Sequence, residues 1–125
     1  MEKVCFKTQK GPAAVGPYST ATIYGGVIYM SGMIGVNPAT GKAPEGTLAQ
    51  AQQVFENIKT VLAELGADTG DVLKTTVFLT NIADFSEVNK LYAEVFGPDY
   101  PARTCVEVSA LPMGLSIEVE CIAKA

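Results

Sequence analysis

The polar side chains that could do chemistry are few, and they stand on otherwise apolar runs. Arg103 follows Pro101-Ala102 at the start of a patterned segment and is flanked by small residues. A guanidinium there suits bidentate capture of a carboxylate. The plainer reading is a surface arginine paired with a nearby glutamate. Glu118 and Glu120 alternate with apolar residues and so share one face of a strand. A carboxylate held beside a bound substrate orients or deprotonates water; without a substrate, the two make a solvated or ion-paired face. Glu107 is a further carboxylate on the preceding segment. Tyr18 and Ser19 lie in a Gly16-Pro17-Tyr18-Ser19 turn, and Ser31-Gly32 ends an apolar segment, where glycine lets a ligand approach the backbone. Cys105 reads first as a small buried hydrophobe.

What is missing narrows the chemistry further. The chain has no histidine, which removes imidazole acid–base catalysis, the Ser-His-Asp triad, the Cys-His dyad and most zinc and iron sites. Its 3 cysteines, Cys5, Cys105 and Cys121, are far apart and form no C-x-x-C, so neither a disulfide framework nor a cysteine zinc site is expected. No phosphate-binding loop, dinucleotide fingerprint or G-x-S-x-G elbow occurs. The net charge is −4 and no Lys/Arg cluster stands out, which argues against nucleic acid. No apolar run approaches the roughly 20 residues of a membrane helix. Met1-Glu2-Lys3-Val4 is not followed by the apolar stretch of a signal peptide, so the cytoplasm is the expected location.

These groups must be positioned by a chain of 125 residues, the size of one domain spanning 1–125. Residues 20–24 and 27–31 read as a hairpin around Gly25-Gly26, after a weak first strand at 3–7. Asn37-Pro38-Ala39-Thr40-Gly41 reads as a loop. Thr47 with Gln50 spells a capping box, and Leu48, Ala51, Val54, Phe55, Ile58, Val61, Leu62 and Leu65 then form the apolar stripe of a helix that Gly66 ends. Residues 71–80 alternate as a strand, with Leu73, Thr75, Val77 and Leu79 on one face. Asp84 with Glu87 spells a second capping box, and Phe85, Val88, Leu91, Tyr92, Val95 and Phe96 stripe a helix stopped by Gly97-Pro98. Residues 102–108 and 116–123 read as closing strands. Arg103, Cys105 and Glu107 share a face of the first, and Glu118 and Glu120 oppose Ile117, Val119 and Cys121 on the second.

Two amphipathic helices can cover one face of the resulting mixed sheet. Nothing remains to cover the other, so another subunit is its natural cover. A charged fraction of only 18% agrees with some surface being buried against a partner.

Taken in order, these segments resemble the RidA family of reactive intermediate/imine deaminases. The resemblance is carried by Pro101-Ala102-Arg103-Thr104-Cys105-Val106-Glu107-Val108, Leu111-Pro112 and Ile117-Glu118-Val119-Glu120, by Gly16-Pro17-Tyr18-Ser19, by Ser31-Gly32-Met33-Ile34, and by Lys74–Thr80 with Asp84-Phe85 and Val88-Asn89. It implies an α+β, chorismate-mutase-like fold (β-β-β-α-β-α-β-β) and a homotrimer with clefts between subunits. It also implies cofactor-free hydrolysis of 2-imino or 2-enamino acids, such as 2-aminoacrylate and 2-iminobutanoate, to 2-keto acids and ammonia. Such compounds are released by pyridoxal-phosphate dehydratases acting on serine or threonine. By the same resemblance Arg103 grips the substrate carboxylate and Glu118 positions the attacking water. Tyr18 and Ser31 hold substrate or water, backbone groups of Gly32 and Cys105 contact the ligand, and Asn89 lies beside the pocket. Thr20, Met33, Met113 and Val119 depart from the common pattern. Of these, Met33 and Met113 replace polar residues and so bear on substrate range. Other readings remain: a sensor that binds 2-keto acids without turnover, an endoribonuclease, and a chaperone-like holdase.

Overall fold

The computed structural model describes residues 2–125. A 6-stranded sheet has the order β1-β2-β3-β6-β4-β5, built from β1 (Val4–Phe6), β2 (Ala21–Tyr24), β3 (Val27–Ile34), β4 (Val72–Leu79), β5 (Ala102–Glu107) and β6 (Ile117–Lys124). Helices α1 (Thr47–Glu64) and α2 (Phe85–Phe96) precede β4 and β5. This is the expected α+β order. β4 and β5 are parallel, as a crossover through α2 requires, and every other pairing is antiparallel. Gly25 and Gly26 have φ of 59° and 77°, the positive values that a two-residue hairpin turn with the right twist demands.

The core lies between one sheet face and the two helices. Ala51, Val54, Phe55, Ile58, Val61 and Leu62 of α1 and Val88, Tyr92 and Phe96 of α2 are buried there. They meet Ile117, Val119, Cys121 and Ala123 of β6 and Thr75, Val77 and Leu79 of β4. Phe55, Tyr92 and Phe96 form an aromatic cluster with centroids 4.6–6.0 Å apart. The opposite face carries no helix. Tyr24, Tyr29 and Val106 are exposed on it, beside Glu118, Glu120 and Ile122.

Several local expectations are corrected. Neither capping box forms. Gly46, not Thr47, is the N-cap of α1, and the Thr47 hydroxyl instead donates to the Asp84 carboxylate at 2.7 Å, tying the two helix starts together. Asp84 stands at the N-cap position of α2 as expected but makes no side-chain capping bond; Asn81 caps the short turn before it, accepting from the Ala83 N–H. A register shift between Val72 and Lys74 reverses the start of β4, so Val72 is buried and Leu73 is half exposed, the reverse of simple alternation. Leu48, counted in the apolar stripe, is exposed. β3 does not stop at Ser31 but continues to Ile34 through a second shift between Met30 and Met33.

Polar groups inside the core fasten the ends of β3. Asn57 is 1% exposed, and its amide donates to the carbonyls of Ile34 and Val36 at 3.2 and 2.8 Å. Replacing Asn57 with Leu fills similar space but leaves both carbonyls unpaired. The expected loss is about 2–3 kcal/mol of unfolding free energy, read as a lower denaturant midpoint at unchanged slope.

Candidate active site

Arg103 stands on β5 opposite Thr75 of β4, and both point toward α2. Its guanidinium lies over the rings of Tyr92 and Phe85, at 4.7 and 5.1 Å from their centroids. Nη1 donates to the Asn89 side-chain oxygen at 2.7 Å. The glutamate partner of the plainer reading is not there: among the described residues the only ion pair is Lys124 with Asp71. Glu107 instead accepts from the Ile82 backbone N–H at 2.9 Å and has a structural task. Arg103, Asn89, Tyr92, Tyr100 and Pro101 border a shallow pocket of about 430 Å³.

The platform beneath Arg103 belongs to the core. The Tyr92 hydroxyl is hydrogen-bonded to Thr75 Oγ1 at 2.7 Å, and both residues are buried. Burial raises the Tyr92 phenol above its ordinary pKa, against the opposing effects of Thr75 and Arg103. Cys105 is one alternation further along β5. Burial pushes its thiol up, with the Arg103 charge opposing, so it is a poor nucleophile.

Glu118 belongs to the other face. It pairs with Phe78 of β4 and Ile34 of β3, whereas its neighbours Ile117 and Val119 are buried under the helices. It is half-buried. Burial raises its carboxyl above the ordinary range, and the Glu120 charge pushes the same way. Its carboxyl occupies the space where a side chain at position 32 would project: a Cβ on Gly32 would lie 2.6 Å from Glu118 Cδ. A side chain at position 32 would push the carboxyl from this seat.

Gly32, Ser31 and Tyr18 line a second pocket of about 310 Å³, between β3 and the segment running from Pro12 to Tyr18. The Ser31 hydroxyl donates to the Ser19 carbonyl at 2.7 Å, and the Ser31 N–H to the Thr20 carbonyl at 2.9 Å. Pro12 and Val15 also form this wall, although neither stands out in the sequence. An aperiodic Pro-Ala-Ala-Val run before the Gly-Pro-Tyr turn was their only signal.

The site residues therefore fall into two groups. Tyr18, Ser31, Gly32 and Glu118 converge at β3 and β6; Arg103, Asn89 and Cys105 converge at β5 and α2. One chain does not bring the groups together, since β4 intervenes and Arg103 and Glu118 point to opposite sheet faces. Among the described residues no cluster of His, Cys, Asp or Glu is placed to hold a metal, and no helix is long and apolar enough to cross a membrane.

A six-stranded mixed sheet with two helices on one face defines a protein of the α+β class. Residues 8–125 match the family model described as Endoribonuclease L-PSP. A RutC family protein of Haemophilus influenzae is 45% identical over 120 residues, 93% of this chain and 92% of that one. The 2-iminobutanoate/2-iminopropanoate deaminase of Escherichia coli is 44% identical over 119 residues, 93% of each chain. The crystal structure of a Rid family protein of unknown function from Yersinia pestis superimposes with a TM-score of 0.96 at 44% identity, covering 99% of this chain and 100% of that one. The chain belongs to this family, that of the RidA and RutC proteins.

The wall of the second pocket depends on a remote carboxylate. Glu64, in the last turn of α1, accepts from the Thr8 hydroxyl and, at 2.9 Å, from the Gln9 N–H. The Thr8 N–H in turn donates to Thr20 Oγ1 at 3.0 Å. A carboxylate at a helix C-terminus is disfavoured by the helix dipole, and burial also raises its pKa. The hydrogen bonds from Thr8, Gln9 and Lys10 and the Lys10 charge outweigh burial, leaving the pKa below its ordinary value. A lowered folded-state pKa stabilises above the ordinary carboxylate pKa and loses that contribution as pH falls through the folded value. Glu64→Gln is thus expected to melt lower than wild type at pH 7. The gap should close as both proteins are acidified below the ordinary carboxylate range, in thermal melts followed against pH.

Proposed function

We propose that this protein hydrolyses 2-imino and 2-enamino acids to 2-keto acids and ammonia, in sites completed between subunits of a homotrimer. The observation that carries this reading is the condition of Arg103. It lies over two rings, bonded through Nη1 to Asn89, free of any acidic partner among the described residues and open to a pocket. An arginine so held is organised to take a small carboxylate.

The reaction asks little else of the protein. Water adds to C2 of the imine, the C–N bond breaks and ammonia leaves. Arg103 fixes the carboxylate and hence the position of C2. Glu118 of a neighbouring copy takes a proton from the attacking water, its raised pKa making it basic enough to do so, and returns it to the departing nitrogen. Backbone groups at Gly32 and Cys105 accept from the iminium N–H. Tyr18 and Ser31 hold substrate or water, and Asn89 keeps the guanidinium in plane. No metal or cofactor takes part. The bare sheet face, with Tyr24, Tyr29 and Val106 exposed, supports association. The E. coli relative named as a deaminase supports the substrate class. A sensor of 2-keto acids would use the same arginine but would not accelerate ammonia release.

With imine generated in place by a threonine or serine dehydratase, wild type should speed keto-acid formation. Arg103→Ala should lower kcat/KM about 10- to 100-fold while keeping its oligomeric size. Mixing unfolded Arg103→Ala and Glu118→Gln chains and refolding them together should restore about a quarter of wild-type activity, because some interfaces then pair an intact arginine with an intact glutamate. No recovery would place both groups in one chain's site and sink the shared-site reading.

The pH profile makes a separate prediction. If the ionised form of Glu118 is the base, kcat/KM falls as pH drops through its raised pKa. The acid limb should lie above the ordinary carboxylate range and be absent from the residual rate of Glu118→Gln.

A further inference from the structure

The segment between β1 and β2 runs over the molecule as a strap that is fastened mainly at its ends. Among the described residues, the hydrogen bonds of 12–17 stay within the strap: the Val15 N–H donates to the Tyr18 hydroxyl at 3.4 Å, and the Gly16 carbonyl accepts from the Tyr18 N–H at 2.8 Å. Val15 is 91% exposed. At the far end, Ser31 bonds to the carbonyls of Ser19 and Thr20. Lys7 Nζ reaches the Tyr18 carbonyl at a weak 3.4 Å. At the near end, residues 8–11 close around the carboxylate of Glu64.

Both oxygens of that carboxylate are engaged, one by the Thr8 hydroxyl and the other by the Gln9 N–H. The Thr8 hydroxyl oxygen also accepts from the Gly11 N–H at 2.8 Å. Bonds to an ionised acceptor are the stronger kind. Gly11 supplies an independent observation. A Cβ there would stand 2.9 Å from both Thr8 Oγ1 and Val61 Cγ2, so the strap lies closer to α1 than a side chain allows without displacement. Glu64 itself lines neither the pocket at Tyr18 nor the one at Arg103.

We infer that Glu64 is a positioning residue for substrate binding: by clamping residues 8–11 to the end of α1, it holds the strap, and with it Tyr18, in the arrangement that receives substrate. The inference rests on the deaminase reading and adds to it a residue remote from the substrate. Arg103 and Glu118 stand on β5 and β6, outside the strap. Releasing the clamp therefore spares the chemical step and weakens binding. The substrate must then select the chains whose strap is in place, and apparent affinity falls by that fraction.

The test measures imine hydrolysis well below the melting temperature, with kcat and KM separated. Glu64→Gln and Thr8→Val should each raise KM about fivefold and leave kcat within about twofold. Thr8→Ser keeps the hydroxyl and should keep the wild-type KM. Gly11→Ala lifts the strap without touching the carboxylate and should raise KM as the first two do; it keeps the test open if Glu64→Gln folds poorly. Asp68→Ala controls for lost stability alone. It removes the cap of the short turn after α1, where Asp68 accepts from the Gly70 N–H at 2.8 Å, and should melt lower at unchanged KM. Trypsin under native conditions reads strap release without reference to activity. It should cut the Lys10–Gly11 bond about tenfold faster in Glu64→Gln than in wild type or Asp68→Ala. Faster cutting at unchanged KM overturns the inference and leaves the deaminase reading standing, as does an equal rise of KM in Asp68→Ala. Cutting that is no faster in Glu64→Gln overturns the clamp itself. No acceleration of any imine by wild type overturns both readings.

Discussion

A strand sends successive side chains to opposite faces of its sheet, and that alternation governs the whole molecule. On β6 it buries Ile117, Val119, Cys121 and Ala123 beneath the helices and leaves Glu118 and Glu120 on the other side. On β5 it turns Arg103 and Cys105 toward α2. The anchor and the base proposed for a single substrate are thus separated by the sheet that carries them. No side-chain rotation can reunite them. A chain of this size spends one face on its core; the other face, with its tyrosines and Ile122, is left bare, and the proposed shared site would have a second copy cover it.

The same economy explains why Arg103 can stay unpaired. A guanidinium loses little hydration when stacked on aromatic faces, so it can be held in place without a carboxylate that a substrate would have to displace. Tyr92 is the link between stability and site. Its ring packs with Phe55 and Phe96, its hydroxyl closes on the buried Thr75, and its outer face carries the arginine. The platform under Arg103 is therefore part of the core.

Most of this fold is legible in the residues because periodicity reports burial directly. The stripes of α1 and α2 and the alternation of β6 emerge where they were expected. Errors cluster where a long-range contact overrides a local preference. Thr47 and Asp84 are both good N-caps, yet each does better by bonding to the other across two helices. Leu73 and Val72 exchange faces because of a one-residue bulge that no composition signals. Arg103 and Glu118 could be picked out as polar residues on apolar strands, but whether they meet depends on strand order and sheet face, which local patterning does not encode. Pro12 and Val15 in the pocket wall escape local patterning for a related reason. Their segment has no repeat, and it is held by Glu64, distant in sequence, through Thr8.

The absence of histidine fits this division of labour. A carboxyl in water is too acidic to take a proton efficiently near neutrality. Glu118 is shifted toward the useful range by burial between β3 and β4 and by the charge of Glu120. Both causes are consequences of position on the sheet. Gly32 makes the position available, since any side chain there would displace the carboxyl from its half-buried seat. The environment of this carboxylate thus depends on a glycine on the neighbouring strand β3, while the proposed anchor stands on β5, beyond β4.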